Sequence, residues 1–149
     1  MASPVLECKL LTEGAKAPVR ATNDAAGYDL YGVKCEYDDS SNTKNPLGIV
    51  DTGIAVQIPH GYCGIIKARS SYAKRYGMNI LAGVIDADYQ GEIKVLFTTM
   101  HFFQFQAGER FAQMLIVPVF TGDVSTVDKF SREETDRTGG FGSTGNKEI

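Results

Sequence analysis

Apolar residues in this chain recur at every second position in short bursts, and that alternation limits the fold more than any other feature. Leu6-x-Cys8-x-Leu10, Ile54-x-Val56-x-Ile58 and Phe103-x-Phe105 each present one apolar edge, as half-buried strands do when successive side chains point to opposite faces. Ile65-Ile66, Ile93-x-Val95-x-Phe97 and the run from Met114 to Phe120 are compact and rich in branched and aromatic residues, which suits buried strands. Turn signals separate them at Pro46-Leu-Gly48, Pro59-His-Gly61, Tyr89-Gln-Gly91 and Ala107-Gly108. Short strands and turns in this rhythm predict a barrel, sandwich or jelly roll. One stretch departs from it. Ser70 to Gly77 opens on a good N-cap residue and closes on a glycine stop, which predicts a helix of about two turns.

Length and charge narrow the function. The 149 residues predict one domain over 1–149, large enough to bury a real core. A net charge of −3, with both signs mixed along the chain, speaks against a nucleic-acid polymer as main ligand. No apolar run approaches the roughly 20 residues that span a bilayer. The first residues lack the basic patch and apolar stretch of a secretory signal. The expectation is a soluble, intracellular protein, with cytoplasm and nucleus both open. Cys8, Cys35 and Cys63 are widely spaced, and His60 and His101 stand apart. These five read as structural or incidental, not as a metal or redox centre. Asp38 to Asn45 is polar enough for an exposed loop.

Four segments carry chemistry. Gly139-Gly-Phe-Gly-Ser-Thr-Gly145 follows Arg137. Glycines let backbone N–H groups converge on an anion, Ser143 and Thr144 add hydroxyls, and the arginine offers a fork for a terminal phosphate. Taken alone, the same stretch also reads as a flexible tail. Gly83-Val-Ile-Asp-Ala-Asp-Tyr-Gln-Gly91 runs two apolar residues into Asp86 and Asp88. It is either a carboxylate poised as a general base or a plain hairpin turn. Lys67-Ala-Arg-Ser-Ser-Tyr72 lies at the expected helix start, as a phosphate site or a simple cap. In Ala25-Ala-Gly-Tyr-Asp-Leu30, Asp29 either holds a metal or satisfies a nearby turn.

Read in order, these segments resemble the five motifs of the trimeric dUTPase family. They are Ala25 to Leu30, Ala68 to Ser71, Gly83 to Gly91, Gly108-Glu-Arg-Phe-Ala-Gln-Met-Leu-Ile116 and Gly139 to Gly145, and together they cover nearly the whole chain. The resemblance implies an all-β, distorted jelly-roll barrel with one short helix. It also implies a homotrimer whose mobile C-terminal lid arm, 131–149, is exchanged between subunits. Its reaction is hydrolysis of dUTP to dUMP and pyrophosphate with Mg²⁺, which keeps uracil out of DNA and supplies dUMP for dTMP synthesis.

By motif position, Asp86 resembles the carboxylate that activates water for attack on the α-phosphorus, with Arg69 beside it. Ser70, Ser71 and Gln113 resemble phosphate ligands, and Asp29 holds the metal through water. The backbone of Gly83, Val84 and Ile85 belongs to the segment that reads uracil, and Tyr89 packs under the deoxyribose. Phe141 covers the base, while Gly142, Ser143, Thr144 and Arg137 serve the phosphates. The chain departs from the family pattern at Ala68 and Ser71, at Phe111 and Met114, and in the arm. There Arg137 stands one residue closer to Phe141 than the family's arginine does, so Arg132 competes for the γ-phosphate role. The resemblance separates from dCTP deaminases, which need a catalytic glutamate in the base pocket, and from catalytically silent dUTPase-like binding proteins, by Asp86, Arg69 and a full lid.

Overall fold

The structure is a computed structural model that describes residues 5–38 and 44–148. Most of the polar stretch expected as a loop, and the last residue of the expected arm, lie outside the described residues. The strands are β1 (Glu7–Leu10), β2 (Tyr28–Tyr31), β3 (Lys34–Tyr37), β4 (Leu47–Asp51), β5 (Ile54–Gln57) and β6 (Tyr62–Ala68). After the helix α1 (Ser70–Tyr76) come β7 (Asn79–Leu81), β8 (Val84–Ile85), β9 (Lys94–Thr98) and β10 (Arg110–Pro118). All named pairings are antiparallel. They form a β1-β5 pair and two four-stranded sheets, ordered β2-β10-β6-β8 and β3-β4-β9-β7. The fold is the expected all-β jelly-roll type with one short helix.

The core sits between the sheets. Leu30, Met114 and Ile66 from one sheet and Val50, Val95 and Phe97 from the other are essentially without solvent contact. Burial alternates along β9 and β4, as two packed sheets with one wet face each require. Phe111, fully buried, meets Phe105 edge to face at 6.0 Å.

Three expectations are corrected. Phe103 and Phe105 lie in an irregular segment, not a strand. Their alternation is real, but it is spent on rings: Phe103 stacks on Tyr76 of α1 at 4.1 Å, and the Tyr37 hydroxyl bonds both the carbonyl and the N–H of Phe103 at 3.2 Å. Pro46-Leu-Gly48 is not a turn, because β4 begins at Leu47. Gly48 pairs with Tyr37 and Phe97 within the sheet, and it is glycine because the Phe97 ring lies where its Cβ would be. Ser70 is the first helical residue and not the cap; Arg69 occupies the N-cap in extended conformation, without a side-chain capping bond. The stop is as expected. Gly77 takes φ 61°, and its N–H bonds the Ala73 carbonyl at 2.9 Å. Among the described residues, no helix is long and apolar enough to cross a membrane.

Candidate active site

β10 is the hub, since it pairs with β2 on one side and β6 on the other. Gln113 lies opposite Asp29 and also opposite Lys67. With a side-chain period of two, Asp29 and Gln113 therefore share the face that looks away from the core. Arg110 joins them only because the register slips. Between Arg110 and Ala112, β10 uses two residues where β2 uses one. Without that bulge, Arg110 would share the core face with Ala112; with it, Arg110 turns toward Asp29.

The result is a compact charged cluster. Arg110 Nη1 donates to Asp29 Oδ2 at 3.1 Å, and Arg69 Nε lies 3.7 Å from Asp29 Oδ1. Arg69 Nη1 also donates to the Arg110 carbonyl at 3.0 Å. Gln113 Nε2 donates to the Ala68 carbonyl at 3.3 Å, which fastens β10 to the end of β6. Gly27 permits this packing, because a Cβ there would stand 2.5 Å from Gln113 Oε1. Beside the cluster opens a cavity of about 380 Å³ lined by Arg69, Ser71, Arg75, Glu109 and Arg110, among others. Its Tyr72 hydroxyl donates to Glu109 Oε2 at 2.6 Å. Burial, then that carboxylate, pushes the Tyr72 phenol far up, so it stays a neutral donor.

The segment from Gly83 to Gly91 is built differently. Ala82 and Gly83 both take left-handed conformations, φ 54° and 86°. This pair swings the chain from β7, which pairs β9, to β8, which pairs β6. An alanine at such φ stores about 1 kcal/mol of strain, roughly the cost typical of left-handed non-glycine backbone. A turn follows, with the Tyr89 N–H on the Asp86 carbonyl at 3.1 Å. The Tyr89 hydroxyl donates to the Glu92 carbonyl at 2.6 Å, folding its ring back beside Gly91. Asp86 and Tyr89 are exposed.

Within one chain, Asp86 and Arg69 do not meet. Ile85 pairs with Gly64, so Asp86 lies near the level of Cys63, while Arg69 follows the far end of β6. Six strand residues at about 3.3 Å each separate them by roughly 20 Å along the sheet. Among the described residues, Arg69 pairs with Asp29 instead. The arm is apart from both. Val124, Phe130 and Phe141 stand almost wholly in solvent, and Arg132 and Arg137 line a separate hollow within the arm. An arginine-lined cavity, an exposed carboxylate loop and an unpacked glycine-rich arm are therefore three separate parts of one chain. Arg110 is the residue that the sequence reading quoted without assigning, and its place depends on a bulge that no sequence pattern marks.

The dUTPase family model matches residues 13–145. The chain belongs to the dUTPase family. It is 41% identical over 140 residues to the deoxyuridine 5'-triphosphate nucleotidohydrolase of Paramecium bursaria Chlorella virus 1, covering 92% of this chain and 95% of that protein. The enzyme of the same name from Yarrowia lipolytica is 39% identical over 143 residues, covering 94% and 88%. A solved mutant of the Staphylococcus bacteriophage 80alpha dUTPase with dUpNHpp superposes with a TM-score of 0.82 at 26% identity, covering 97% of this chain and 100% of that one. A mutant dUTPase from phage phi11 of S. aureus, described with a structural Mg(II) ion, shares the fold at a TM-score of 0.74 and 24% identity, covering 87% and 100%.

Proposed function

We propose that this member of the dUTPase family hydrolyses dUTP to dUMP and pyrophosphate, and that it does so as a homotrimer. The observation that carries the reading is the cavity lined by Arg69, Arg110 and Ser71, whose two arginines are held by the buried Asp29, with Gln113 on the same face of the sheet as Asp29. Two guanidiniums, a hydroxyl and an amide are the donor set an oligophosphate needs. Family membership supplies the nucleotide.

The separation of Asp86 from Arg69 supports the trimer. If the carboxylate is to meet the phosphate cavity, it must come from another copy. In this reading, Ser70, Ser71 and Gln113 hold the α- and β-phosphates, and Arg69 holds charge and orientation. Asp86 of a second copy takes a proton from the attacking water. Gly83, Val84 and Ile85 present backbone groups to uracil, with Tyr89 against the deoxyribose. The arm of a third copy closes the site: Phe141 covers the base, and Gly142, Ser143, Thr144 and Arg137 reach the phosphates. The exposure of Phe141 in a lone protomer is in keeping with a ring that has its partner elsewhere.

The residues fit Mg²⁺ in one manner only. Both Asp29 oxygens are engaged by arginines, and the described residues contain no group of three acidic, His or Cys ligands. The described residues thus form no cage, and Asp29 retains lone pairs for contact through water. Magnesium bound with the nucleotide would supply charge neutralisation across the phosphates. An enzyme of this kind lowers dUTP and provides dUMP for dTMP synthesis.

The test is product analysis with dUTP, dCTP, dTTP and UTP, with and without Mg²⁺. The expected outcome is dUMP and pyrophosphate from dUTP alone, with kcat lowered at least about a hundredfold in Asp86→Asn, on the scale of a lost general base. Ammonia release from dCTP would replace this reading with a deaminase. Binding of dUTP without turnover would replace it with a nucleotide sensor.

A further inference from the structure

Three guanidiniums, Arg69, Arg75 and Arg110, line the cavity, and Glu109 is the carboxylate that lines it with them. Asp29 accepts from Arg110 and faces Arg69. Glu109, the acid in the cavity wall, has Oε2 taken by the Tyr72 hydroxyl at 2.6 Å. Arg75 lines the same cavity, yet among the described residues it enters no ion pair at hydrogen-bonding distance. Its guanidinium lies over the Tyr76 ring at 5.9 Å, a contact that orients the fork without neutralising it. The Tyr76 ring is itself fixed by stacking on Phe103 at 4.1 Å. The Arg75 side chain is exposed, so its guanidinium is open to an incoming anion.

We propose that Arg75 is a substrate-binding residue for the terminal phosphates of the nucleotide. The inference rests on the dUTPase reading above and adds a residue to it. The cavity's other donors gather at the start of α1 and on β10, where Arg69, Ser71 and Arg110 stand. Arg75 lies one turn of α1 beyond Ser71, about 6 Å further along the helix axis at about 1.5 Å per residue. A chain of phosphates anchored at Ser71 and Arg69 and running along the helix would bring its distal groups to Arg75. A planar fork meets phosphate oxygens in a bidentate manner that a point charge does not reproduce.

The experiment is calorimetric binding of dUMP, dUDP and a non-hydrolysable α,β-imido analogue of dUTP, with Mg²⁺, to the full chain and to Arg75→Gln and Arg75→Lys. The expected result for Arg75→Gln is about tenfold weaker analogue binding, the scale of one lost charge-assisted contact, with dUMP affinity unchanged and Arg75→Lys between the two. Equal losses for dUMP and the analogue, or no loss for the analogue, would overturn the proposal. A change in sedimentation in Arg75→Gln with all three affinities falling together would also overturn it, by making Arg75 an assembly residue. Should the unmutated chain fail to prefer the dUTP analogue over the corresponding cytidine compound, the underlying dUTPase reading fails instead, which is a separate outcome.

Discussion

Replacing Asp29 with asparagine keeps the shape of the side chain and removes the charge that holds two guanidiniums together. The Asp29 side chain is 11% exposed, whereas those of Arg69 and Arg110 are 31% and 37% exposed, at 3.7 and 3.1 Å. Exposed ion pairs contribute about 0–1 kcal/mol each. Removing one partner from a fully buried pair costs about 3–5 kcal/mol. A carboxylate inside with half-wet cations belongs between these limits, so the expected loss is about 2 kcal/mol. For a chain of this length, each kcal/mol lowers Tm by about 2–4 °C, so Asp29→Asn should melt about 4–8 °C lower. The assay is thermal unfolding at fixed protein concentration, because assembly adds to apparent stability. At about 1 M salt the screening length falls to about 3 Å, and part of the deficit should vanish. A cycle with Arg110→Met should return a coupling of about 1 kcal/mol. A variant melting within about 1 °C of the parent, or a coupling near zero, would refute the assignment of Asp29 as the anchor of the arginine cluster.

Two further predictions concern packing and titration. Gly27→Ala would place a methyl 2.5 Å from Gln113 Oε1 and 3.1 Å from its Cβ, so the amide must swing away and lose its bond to the Ala68 carbonyl. Expected are a destabilisation of about 1–3 kcal/mol and a KM for dUTP raised to that of Gln113→Ala; an unchanged KM would show that Gln113 does not need this approach. The Cys35 thiol is pushed up to about 11, first by burial and then by Asp51 and Glu36. It is therefore neutral at physiological pH and forms thiolate only as pH rises toward that value, with about a hundredth of an ordinary thiol's thiolate at pH 8. Iodoacetamide labelling followed by peptide mass spectrometry should find Cys35 about a hundredfold slower in the folded than in the unfolded chain, and equal rates would refute the shift.

What the amino-acid sequence determined by itself was local. The alternation of Ile54, Val56 and Ile58 and the runs around Ile65 and Val95 became strands, because a period of two can bury only one or both faces of a sheet. The helix stopped where Gly77 could take a left-handed conformation. The residues of the five motifs were legible too, since their order and chemistry are written along the chain. Other features waited on the tertiary structure. Gly48 reads as a turn residue until the Phe97 ring is set against it. Phe103 and Phe105 read as a strand until Tyr37 and Tyr76 claim the first ring and Phe111 the second. Arg110 would point into the core but for one extra residue in β10. That Arg69 pairs with Asp29 within one chain, while Asp86 lies far along the sheet, depends on which strands become neighbours. Periodicity is a property of consecutive residues and survives in any context, whereas register, bulges and charge pairing arise only when distant segments are brought together.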